Sequence, residues 1–446
     1  MFPEAPLADS SPLIVEADWI IPVDPPKAVL TGHAVVVNDG LIHGVLPAHQ
    51  ARSRYPGARR VELAGHALIP GLINLHTHAA MTLMRGLADD RALMDWLQNH
   101  IWPVETRLVS EAFVRDGTLL ACAEMLRGGV TCFNDMYFYP EAAARAAMTA
   151  GMRAALGIIV IEMPSAYAAD AQDYLSKGLA TRDGLKQEPL LSFCLAPHAP
   201  YTVSDRTFER IAMLQGELEL PLHIHVHETR EEIEQSLAHH NVRPLARLQR
   251  LGLVDASLIA VHAVHLTEQE GALLAEKGCH IAHCPSSNLK LASGFNPPSR
   301  LLKDGVNVGL GTDGAASNNR LDLFTEMRLA ALLAKGATGD PTLLPAHMVL
   351  EMATLRAARA LAIDHRVGTL VAGKSADMAA VDLSALELAP CYDPLSHLVY
   401  AAGREHVSHV WVNGELLVED GRLTRLDTQE IAAKAAYWKD KIRNQD

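Results

Sequence analysis

The stretch ALIPGLINLHTH, residues 67–78, decides the fold prediction, because a run of apolar residues ends in two histidines, His76 and His78. Successive side chains of a strand alternate between its faces, so these two imidazoles point the same way and can bind one ion. A single histidine more often has a structural role. Two histidines at this spacing, at a strand end preceded by Pro70 and Gly71, predict a pair of metal ligands.

The middle of the chain, about residues 65 to 365, alternates short apolar runs with longer segments of helical periodicity, such as 111–127 and 267–277. Eight of the runs are predicted strands: 67–75, 130–134, 154–161, 190–196, 222–227, 258–262, 280–283 and 306–311. Eight strands that alternate with helices are typical of a (β/α)8 TIM-type barrel. The alternative is an open doubly wound sheet, but no GxGxxG motif opens a helix after the first strand.

Both ends of the chain are rich in short β-branched runs, for example residues 34–37 and 409–412. Asparagine-glycine and aspartate-glycine turn signals follow such runs, at 38–40, 413–414 and 420–421. Two β-rich ends around a different middle predict that the termini pair into one small composite β-sandwich. We therefore expect a composite domain of residues 1–64 plus 366–446 and a barrel domain of residues 65–365.

Further candidate ligands lie near the ends of later strands. His223, His225 and His227 share one face of the fifth strand, and their position favours His225 or His227 over His223. Asp313 follows the sequence GLGT after the last strand, where it could bind the ion, accept a proton from its water, or do both; the glycines would let the backbone crowd a bound group. Nitrogen ligands, a carboxylate and an open position for water are typical of catalytic zinc sites and indicate a metal-dependent hydrolase.

Other polar residues at strand ends could act on a substrate. Glu228 follows the histidine-rich strand, near enough to act on whatever the ion holds. His262 ends the sixth strand and is a candidate for polarising water. His198 lies on a proline-rich loop after the fourth strand, where a substrate contact and a structural role are both open. Barrel enzymes have their active sites at the carboxyl ends of the strands, where all these residues are found.

The composition limits the classes of partner. The 446 residues carry 39 basic and 52 acidic side chains, a net charge of −13, which argues against nucleic-acid binding because phosphate recognition needs a basic surface. No apolar run approaches the roughly 20 residues that span a bilayer. The start, MFPE at residues 1–4, lacks a signal-peptide pattern, and the six cysteines include no CxxC pair. We expect a cytoplasmic protein that acts on a small molecule and binds neither nucleic acid nor membrane.

Longer motifs around these residues resemble the amidohydrolase superfamily. They are PGLINLHTH at 70–78, HVHET at 225–229, HCPSSNLKLASG at 283–294, GTDGAASNN at 311–319 and a GTL…GKSAD segment at 368–377. Within the superfamily, the chain is similar to the branch of 5-methylthioadenosine/S-adenosylhomocysteine deaminases and triazine chlorohydrolases. The resemblance covers nearly the whole chain and implies a barrel with a composite β domain.

The resemblance implies a role for each candidate residue. The implied metal ligands are His76, His78, His225 and Asp313. The implied catalytic residues are Glu228 as acid/base, His262 near the attacking water, and Asp313. The implied substrate contacts are Trp96 and Glu105 in a lid region, His198, Glu228 and Asp313. Relatives with two metals carry a lysine at the end of the fourth strand; residues 190–195 contain none, so one metal is expected. Zinc is the expected metal, although iron, manganese and nickel accept the same donors.

The activity that the resemblance implies is hydrolytic deamination of an adenine nucleoside. The expected substrate is 5-methylthioadenosine, converted to 5-methylthioinosine, with S-adenosylhomocysteine and adenosine as further candidates. Relatives that act on S-adenosylhomocysteine are expected to hold its carboxylate with arginines after the third strand. Residues 162–167 contain none, and Arg182 is the nearest later arginine.

Three other activities are alternatives: those of a triazine chlorohydrolase, a guanine deaminase and a cytosine deaminase. A catalytically silent scaffold would be expected to lose metal ligands, and all four are retained here. Relatives are often homodimers or larger, so a homo-oligomer is expected.

Overall fold

The structure, a computed structural model, describes residues 11–444. Residues 1–4, on which the expectation about a signal peptide rests, lie outside the described residues. Between residues 11 and 444, no helix has both the length and the apolar character needed to cross a bilayer. All six cysteines are unpaired and five of them are buried, as expected for small hydrophobic side chains.

Four strands begin the first of two β-sheets. They are β1 (Leu13–Ile20), β2 (His33–Asn38), β3 (Leu41–Pro47) and β4 (Arg59–Pro70), with helix α1 (Ala48–Arg54) before β4. The β2 and β3 strands form an antiparallel hairpin in which Asn38 pairs with Leu41, and this confirms the turn predicted at 38–40. The β1 strand pairs antiparallel with β2 and parallel with β4.

Eight parallel strands follow and form the second sheet in chain order. They are β5 (Leu72–Thr77), β6 (Val130–Asp135), β7 (Arg153–Val160), β8 (Leu191–Pro197), β9 (Leu222–Val226), β10 (Leu258–His262), β11 (His280–His283) and β12 (Asn307–Leu310). The last seven lie within one residue, at each end, of the predicted runs. The (β/α)8 barrel is therefore confirmed.

Helices connect the barrel strands and cover them. They are α2 (Leu93–Trp96), α3 (Trp102–Leu108), α4 (Glu111–Arg127), α5 (Pro140–Ala150), α6 (Ala171–Leu185), α7 (Asp205–Leu218), α8 (Arg230–His240), α9 (Pro244–Arg250), α10 (Glu268–Glu276), α11 (Pro285–Lys290), α12 (Pro298–Lys303), α13 (Ala315–Asn318), α14 (Leu323–Thr338), α15 (Ala346–Met352) and α16 (Leu355–Ala360). Both predicted helices are present, and side chains cap their first turns: Ser110 accepts from the backbone of Phe113, and Thr267 forms a capping box with Glu270.

The end of the chain completes the first sheet. Its elements are β13 (Met378–Asp382), α17 (Pro394–Tyr400), β14 (Val407–Val412), β15 (Glu415–Glu419), β16 (Arg422–Leu423) and α18 (Thr428–Arg443). The strand order is β16-β15-β14-β13-β4-β1-β2-β3, and β13 pairs antiparallel with β4. Side chains from both halves, such as Val35 and Trp411, share one hydrophobic cluster. The two termini therefore build one composite β domain, as predicted.

The stretch 67–78 contains two strands rather than the single predicted strand 67–75. The β4 strand ends at Pro70 in the composite sheet, and β5 begins the barrel at Leu72. Gly71 lies between them against the side chain of Thr131, where a Cβ atom would collide. Apolar alternation cannot show this change of sheet, because both strands are buried. The predicted domain bounds stay a prediction, and β4 runs across the one at residue 65.

The chain after the last barrel strand, β12, contacts the first barrel strand, β5. The backbone N–H groups after β12, from Thr312 and Asp313, donate to the carbonyl oxygen of His76 at 3.1 and 2.9 Å. A Cβ atom on Gly311 would lie 2.8 Å from the backbone nitrogen of His76, so only glycine permits this approach. Gly311 therefore brings the last and the first barrel strands together. That these glycines also let the backbone crowd a bound group stays a prediction.

Candidate active site

Four candidate metal ligands meet at the carboxyl end of the barrel. His76 and His78 lie at the end of β5, His225 lies in β9, and Asp313 follows β12. The Nε2 atom of His76 is 3.2 Å from Nε2 of His225 and 3.2 Å from Oδ1 of Asp313. The Nε2 atom of His78 is 3.3 Å from the same carboxylate oxygen. The barrel thus brings together donors that are far apart in the sequence.

Each imidazole is held by its other ring nitrogen. Nδ1 of His78 donates to the carbonyl oxygen of Met136 at 2.6 Å, and Nδ1 of His225 donates to that of His198 at 2.8 Å. Because a carbonyl only accepts, both Nδ1 atoms carry the proton and both Nε2 atoms present a lone pair. Nδ1 of His76 lies 3.0 Å from Nε2 of His223. Contacts of this kind orient the histidines of metal sites.

The donor set fits a divalent cation. Ligands that lie about 2.0–2.1 Å from a tetrahedral zinc are about 3.3–3.4 Å apart, close to the 3.2 and 3.3 Å separations seen here. Inward lone pairs on nitrogen and a carboxylate oxygen repel one another at such distances unless a cation lies between them. Within residues 11–444, the clusters of three or more such donors are His76/His78/His225 and His76/His262/Asp313, and both belong to this site.

Asp313 is oriented by the loops around it. Its Oδ2 atom accepts from the hydroxyls of Ser287 and Ser317 at 2.6 and 2.7 Å, and Oδ1 accepts from the backbone of Gly314 at 2.8 Å. Oδ2 is occupied by serines, so Oδ1 is the oxygen directed at the histidines.

Of the three histidines left open on the fifth barrel strand, His225 joins the cluster. His223 is fully buried and contacts His76 from the interior side. His227 lies beyond the end of β9 with a positive φ of 58°, and its Nε2 accepts from the backbone of Leu245 at 3.1 Å. The strict alternation of a strand no longer applies there, so His227 does not face the same way as His225.

Two candidate catalytic side chains border the cluster. Glu228 is 8% exposed, and its Oε2 atom lies 3.8 Å from Nε2 of His262. Burial raises the pKa of Glu228, which favours its protonated form. Nδ1 of His262 lies 2.8 Å from Oδ1 of Asn288. The carboxylate of Glu232 accepts from the backbone nitrogens of His227 and Glu228 at 2.9 and 2.8 Å, so the turn that carries Glu228 is fixed.

A cavity of about 300 Å³ opens in front of the cluster. Its wall contains all of the candidate catalytic and substrate-binding residues: Trp96, Glu105, His198, Glu228, His262 and Asp313. Trp96 and Glu105 lie in residues 93–108, the segment for which the resemblance implies a lid and which is called the lid segment below. In it, the π-helical turn Leu97–Ile101 separates α2 from α3. Such turns inside helices are frequent at functional sites. Arg182 does not line this cavity and pairs with Asp183.

Glu105 is bonded across the cavity wall. The hydroxyl of Tyr137 donates to Oε1 of Glu105 at 2.6 Å. Burial raises the pKa of Glu105 to about 7, although the hydrogen bond from Tyr137 lowers it in part. His198 is oriented by the hydroxyl of Thr202, 3.1 Å from its Nδ1. A partly buried hydrogen bond thus ties the lid segment to the loop after β6.

Several residues of the site were not predicted. Ser287 and Ser317 lie inside two of the quoted motifs, so those motifs could have indicated them. Asn288 lies in one of them as well, but its contact with His262 depends on how two loops meet. Tyr137 and Met136 follow an apolar strand and carry no sequence signal.

Comparison with known proteins places this site in a family. The amidohydrolase family model matches residues 67–417. Proteins named 5-methylthioadenosine/S-adenosylhomocysteine deaminase are 48% identical in Saccharophagus degradans, over 97% of this chain and 97% of that one, and 47% identical in Teredinibacter turnerae, over 96% and 97%.

Solved structures share the fold. That of an adenosine deaminase from Xanthomonas campestris with bound zinc has a TM-score of 0.95 and 49% identity, covering 97% of this chain and 98% of the other. That of a mutant of atrazine chlorohydrolase from Arthrobacter aurescens, complexed with zinc and atraton, has a TM-score of 0.89 and 24% identity, covering 96% of this chain and 100% of the other. At this identity, the likeness shows the fold alone.

The chain belongs to the amidohydrolase family, which confirms the resemblance of its motifs. It is a metal-dependent hydrolase of the deaminase type, as the names of its relatives and the fold together indicate.

Proposed function

We propose that the protein deaminates an adenine nucleoside, with 5-methylthioadenosine as the preferred substrate and 5-methylthioinosine and ammonia as products. The names of the relatives that are 48% and 47% identical support this activity. The observation that carries the proposal is that Glu228, His262 and Asp313 share one cavity with the lid residues Trp96 and Glu105. Trp96 and Glu105 can therefore hold a nucleoside while the other three side chains act on its ring.

His76, His78, His225 and Asp313 are the proposed ligands of one divalent ion. Zinc is the proposed metal, because the Xanthomonas structure holds zinc. A bound ion of this kind lowers the pKa of water from about 15.7 to about 7, which provides a nucleophile at neutral pH. The fourth barrel strand, LSFCLAP, has no lysine that could bridge a second metal.

The residues of the chain move the protons. Asp313 accepts a proton from the attacking water, and His262 stabilises the charge that develops on the oxygen. Burial raises the pKa of Glu228, which favours the protonated form that donates to the ring nitrogen next to the attacked carbon. The proton that Asp313 took from the water passes to the amino group, which departs as ammonia. The remaining hydroxyl proton returns to Glu228, so the carbonyl forms and both side chains are restored. A positioned acid/base typically accelerates such a step by about 10²–10⁴-fold.

The cavity wall holds the rest of the nucleoside. Trp96 packs against the base, Glu105 accepts hydrogen bonds from the ribose hydroxyls, and His198 contacts the substrate. Each of these side chains lines the cavity. The distance between the reacting groups is fixed once the base and ribose are bound, and such positioning supplies a large share of catalysis.

The wall favours an apolar 5′ substituent. Among residues 11–444, no lysine or arginine lines this cavity, and the chain after β7 contributes Ile161, Met163 and Pro164. A methylthio group gains free energy by burial against such side chains. The carboxylate of S-adenosylhomocysteine would lose water there without a cationic partner. We therefore propose that 5-methylthioadenosine is deaminated more efficiently than S-adenosylhomocysteine.

A substrate panel tests the proposal. Purified, metal-loaded enzyme is offered 5-methylthioadenosine, S-adenosylhomocysteine, adenosine, guanine, cytosine and a chlorotriazine, and ultraviolet change and ammonia or chloride release are followed. The largest kcat/KM is expected for 5-methylthioadenosine. Turnover of guanine, cytosine or the triazine without deamination of any adenosine derivative would show that the proposed activity is wrong. The cytoplasmic location and the homo-oligomer stay predictions.

A further inference from the structure

Tyr137 occupies a position in the cavity that the proposed reaction does not use. It lies two residues after β6 and is 4% exposed. Its ring centroid is 6.4 Å from that of His78, and its hydroxyl is 2.6 Å from Glu105. One side chain thus reaches from a proposed metal ligand to the proposed ribose contact.

The backbone next to Tyr137 is fixed by hydrogen bonds to Thr77 and His78. The preceding residue, Met136, donates its N–H to the carbonyl oxygen of Thr77 at 3.0 Å and accepts from Nδ1 of His78 at 2.6 Å. The ring of Tyr137 also packs edge-on against Phe138, with centroids 5.2 Å apart. The hydroxyl is therefore held at a defined place relative to the histidine cluster.

The chemistry of the pair suits two neighbouring hydroxyl groups. The single O–H of Tyr137 is used to donate to Glu105, so its oxygen can only accept further hydrogen bonds. Ionised Glu105 is likewise only an acceptor. Burial and the neighbouring Glu105 keep the pKa of Tyr137 well above its usual value, so the phenol stays protonated. Two adjacent acceptors are complementary to a cis-diol, which presents two O–H donors.

We propose that Tyr137 is a substrate-binding residue whose phenolic oxygen accepts a hydrogen bond from one ribose hydroxyl while its O–H donates to Glu105. The inference rests on the proposed nucleoside deamination. Two side chains then bind the diol: Glu105 from the lid segment and Tyr137 from the loop after β6.

The test compares a ribonucleoside with its analogue that lacks both hydroxyls. Tyr137→Phe is expected to lower kcat/KM for adenosine about tenfold, mainly through KM, because one hydrogen bond to a buried acceptor is lost. Its effect on 2′,3′-dideoxyadenosine is expected to stay within about threefold. Tyr174→Phe is the matched control: Tyr174 also lines the cavity, but its hydroxyl donates to Ser165 at 2.6 Å. This control is expected to treat the two nucleosides alike.

The outcomes separate the inference from the function on which it rests. Equal losses of Tyr137→Phe on both nucleosides, or no loss on either, would overturn the role of Tyr137. If the wild-type enzyme deaminates no adenosine derivative, the proposed function fails instead.

A second variant keeps the inference testable if Tyr137→Phe does not fold. Glu105→Gln retains a hydrogen-bonding side chain and leaves the Tyr137 oxygen in the cavity. It is expected to keep part of the wild-type preference for adenosine over the dideoxy analogue. Complete loss of that preference would contradict a separate contact by Tyr137.

Discussion

Single residues at the carboxyl ends of the barrel strands have unusual backbones. His227, His262 and Asp313 have φ angles of 58°, 67° and 61°. Positive φ in a residue other than glycine costs on the order of 1–3 kcal/mol, and such residues cluster at functional sites. These conformations take the side chains out of the alternation of the strand. His227 contacts the backbone of Leu245, whereas His262 and Asp313 line the cavity.

Glu228→Gln is expected to lower kcat by about 10²–10⁴-fold, because an amide cannot donate the proton that the ring nitrogen requires. Zinc content, measured by elemental analysis, should not change, since Glu228 is not a proposed ligand. Glu231→Gln is the matched control, because Glu231 is an exposed carboxylate on α8. A Glu228→Gln enzyme with near wild-type kcat would contradict the acid/base role.

The raised pKa of Glu105 predicts that KM for adenosine depends on pH. Burial raises its pKa to about 7, so the carboxylate that accepts from the ribose is present above this pH and lost below it. KM for adenosine should therefore rise as the pH falls, approaching tenfold per unit well below the pKa. KM for 2′,3′-dideoxyadenosine, measured over the same range, should rise less. Parallel profiles for both nucleosides would show that Glu105 does not bind the diol.

Helix α18, which is distant in the sequence, supports the lid segment. On α3, Arg107 donates to the carbonyl oxygens of Ile442 and Asn444 at the end of α18, at 3.0 and 2.6 Å. On the same helix α18, Trp438 donates to Asp116 of α4 at 3.0 Å. The C-terminal helix thus holds the helix that carries Glu105.

Arg107→Ala is expected to loosen this support without unfolding the barrel. Amide hydrogen exchange in residues 102–108 and 428–443 should become about tenfold faster, because charged donors to two terminal carbonyls are lost. KM for the nucleoside should also rise, because α3 carries Glu105. Arg145→Ala is the control, because Arg145 pairs with Glu141 inside its own helix. Unchanged hydrogen exchange in both segments would show that Arg107 does not stabilise the lid segment.

Across the whole molecule, a buried ion pair joins the barrel to the composite sheet. Arg153 begins β7 and forms two hydrogen bonds of 3.0 Å with Asp377, which precedes β13. The two side chains are 4% and 1% exposed. Asp377 also accepts from the backbone of Asn413 at 2.9 Å. The pair lies at the amino ends of the barrel strands, on the face opposite the active site, where residues serve stability.

Asp377→Ala is expected to lower the free energy of unfolding by about 3–5 kcal/mol, because it leaves the buried Arg153 guanidinium without its partner. Urea titration followed by circular dichroism measures this loss. Glu268→Ala, which breaks the exposed pair with Arg300, should change the midpoint little. Equal midpoints for the two variants would show that the buried pair does not hold the domains together.

Local sequence patterns were sufficient to predict the barrel strands, several turns and one pair of candidate ligands. The barrel strands could be predicted because buried parallel strands appear as short apolar runs between helical segments. The turns at 413–414 and 420–421 could be predicted because a few local residues decide a hairpin. His76 and His78 could be paired because they are neighbours on one face of one strand.

Contacts between distant residues decided the rest. The choice of His225 over His227 depends on where β9 ends and on the backbone of Leu245. The change of sheet at Gly71 depends on Thr131, and the bond between Tyr137 and Glu105 joins two elements that no periodicity relates. A sequence specifies which face a side chain occupies in its own element. The partner that this face meets is fixed only when the barrel closes and its loops pack, because that partner comes from another part of the chain.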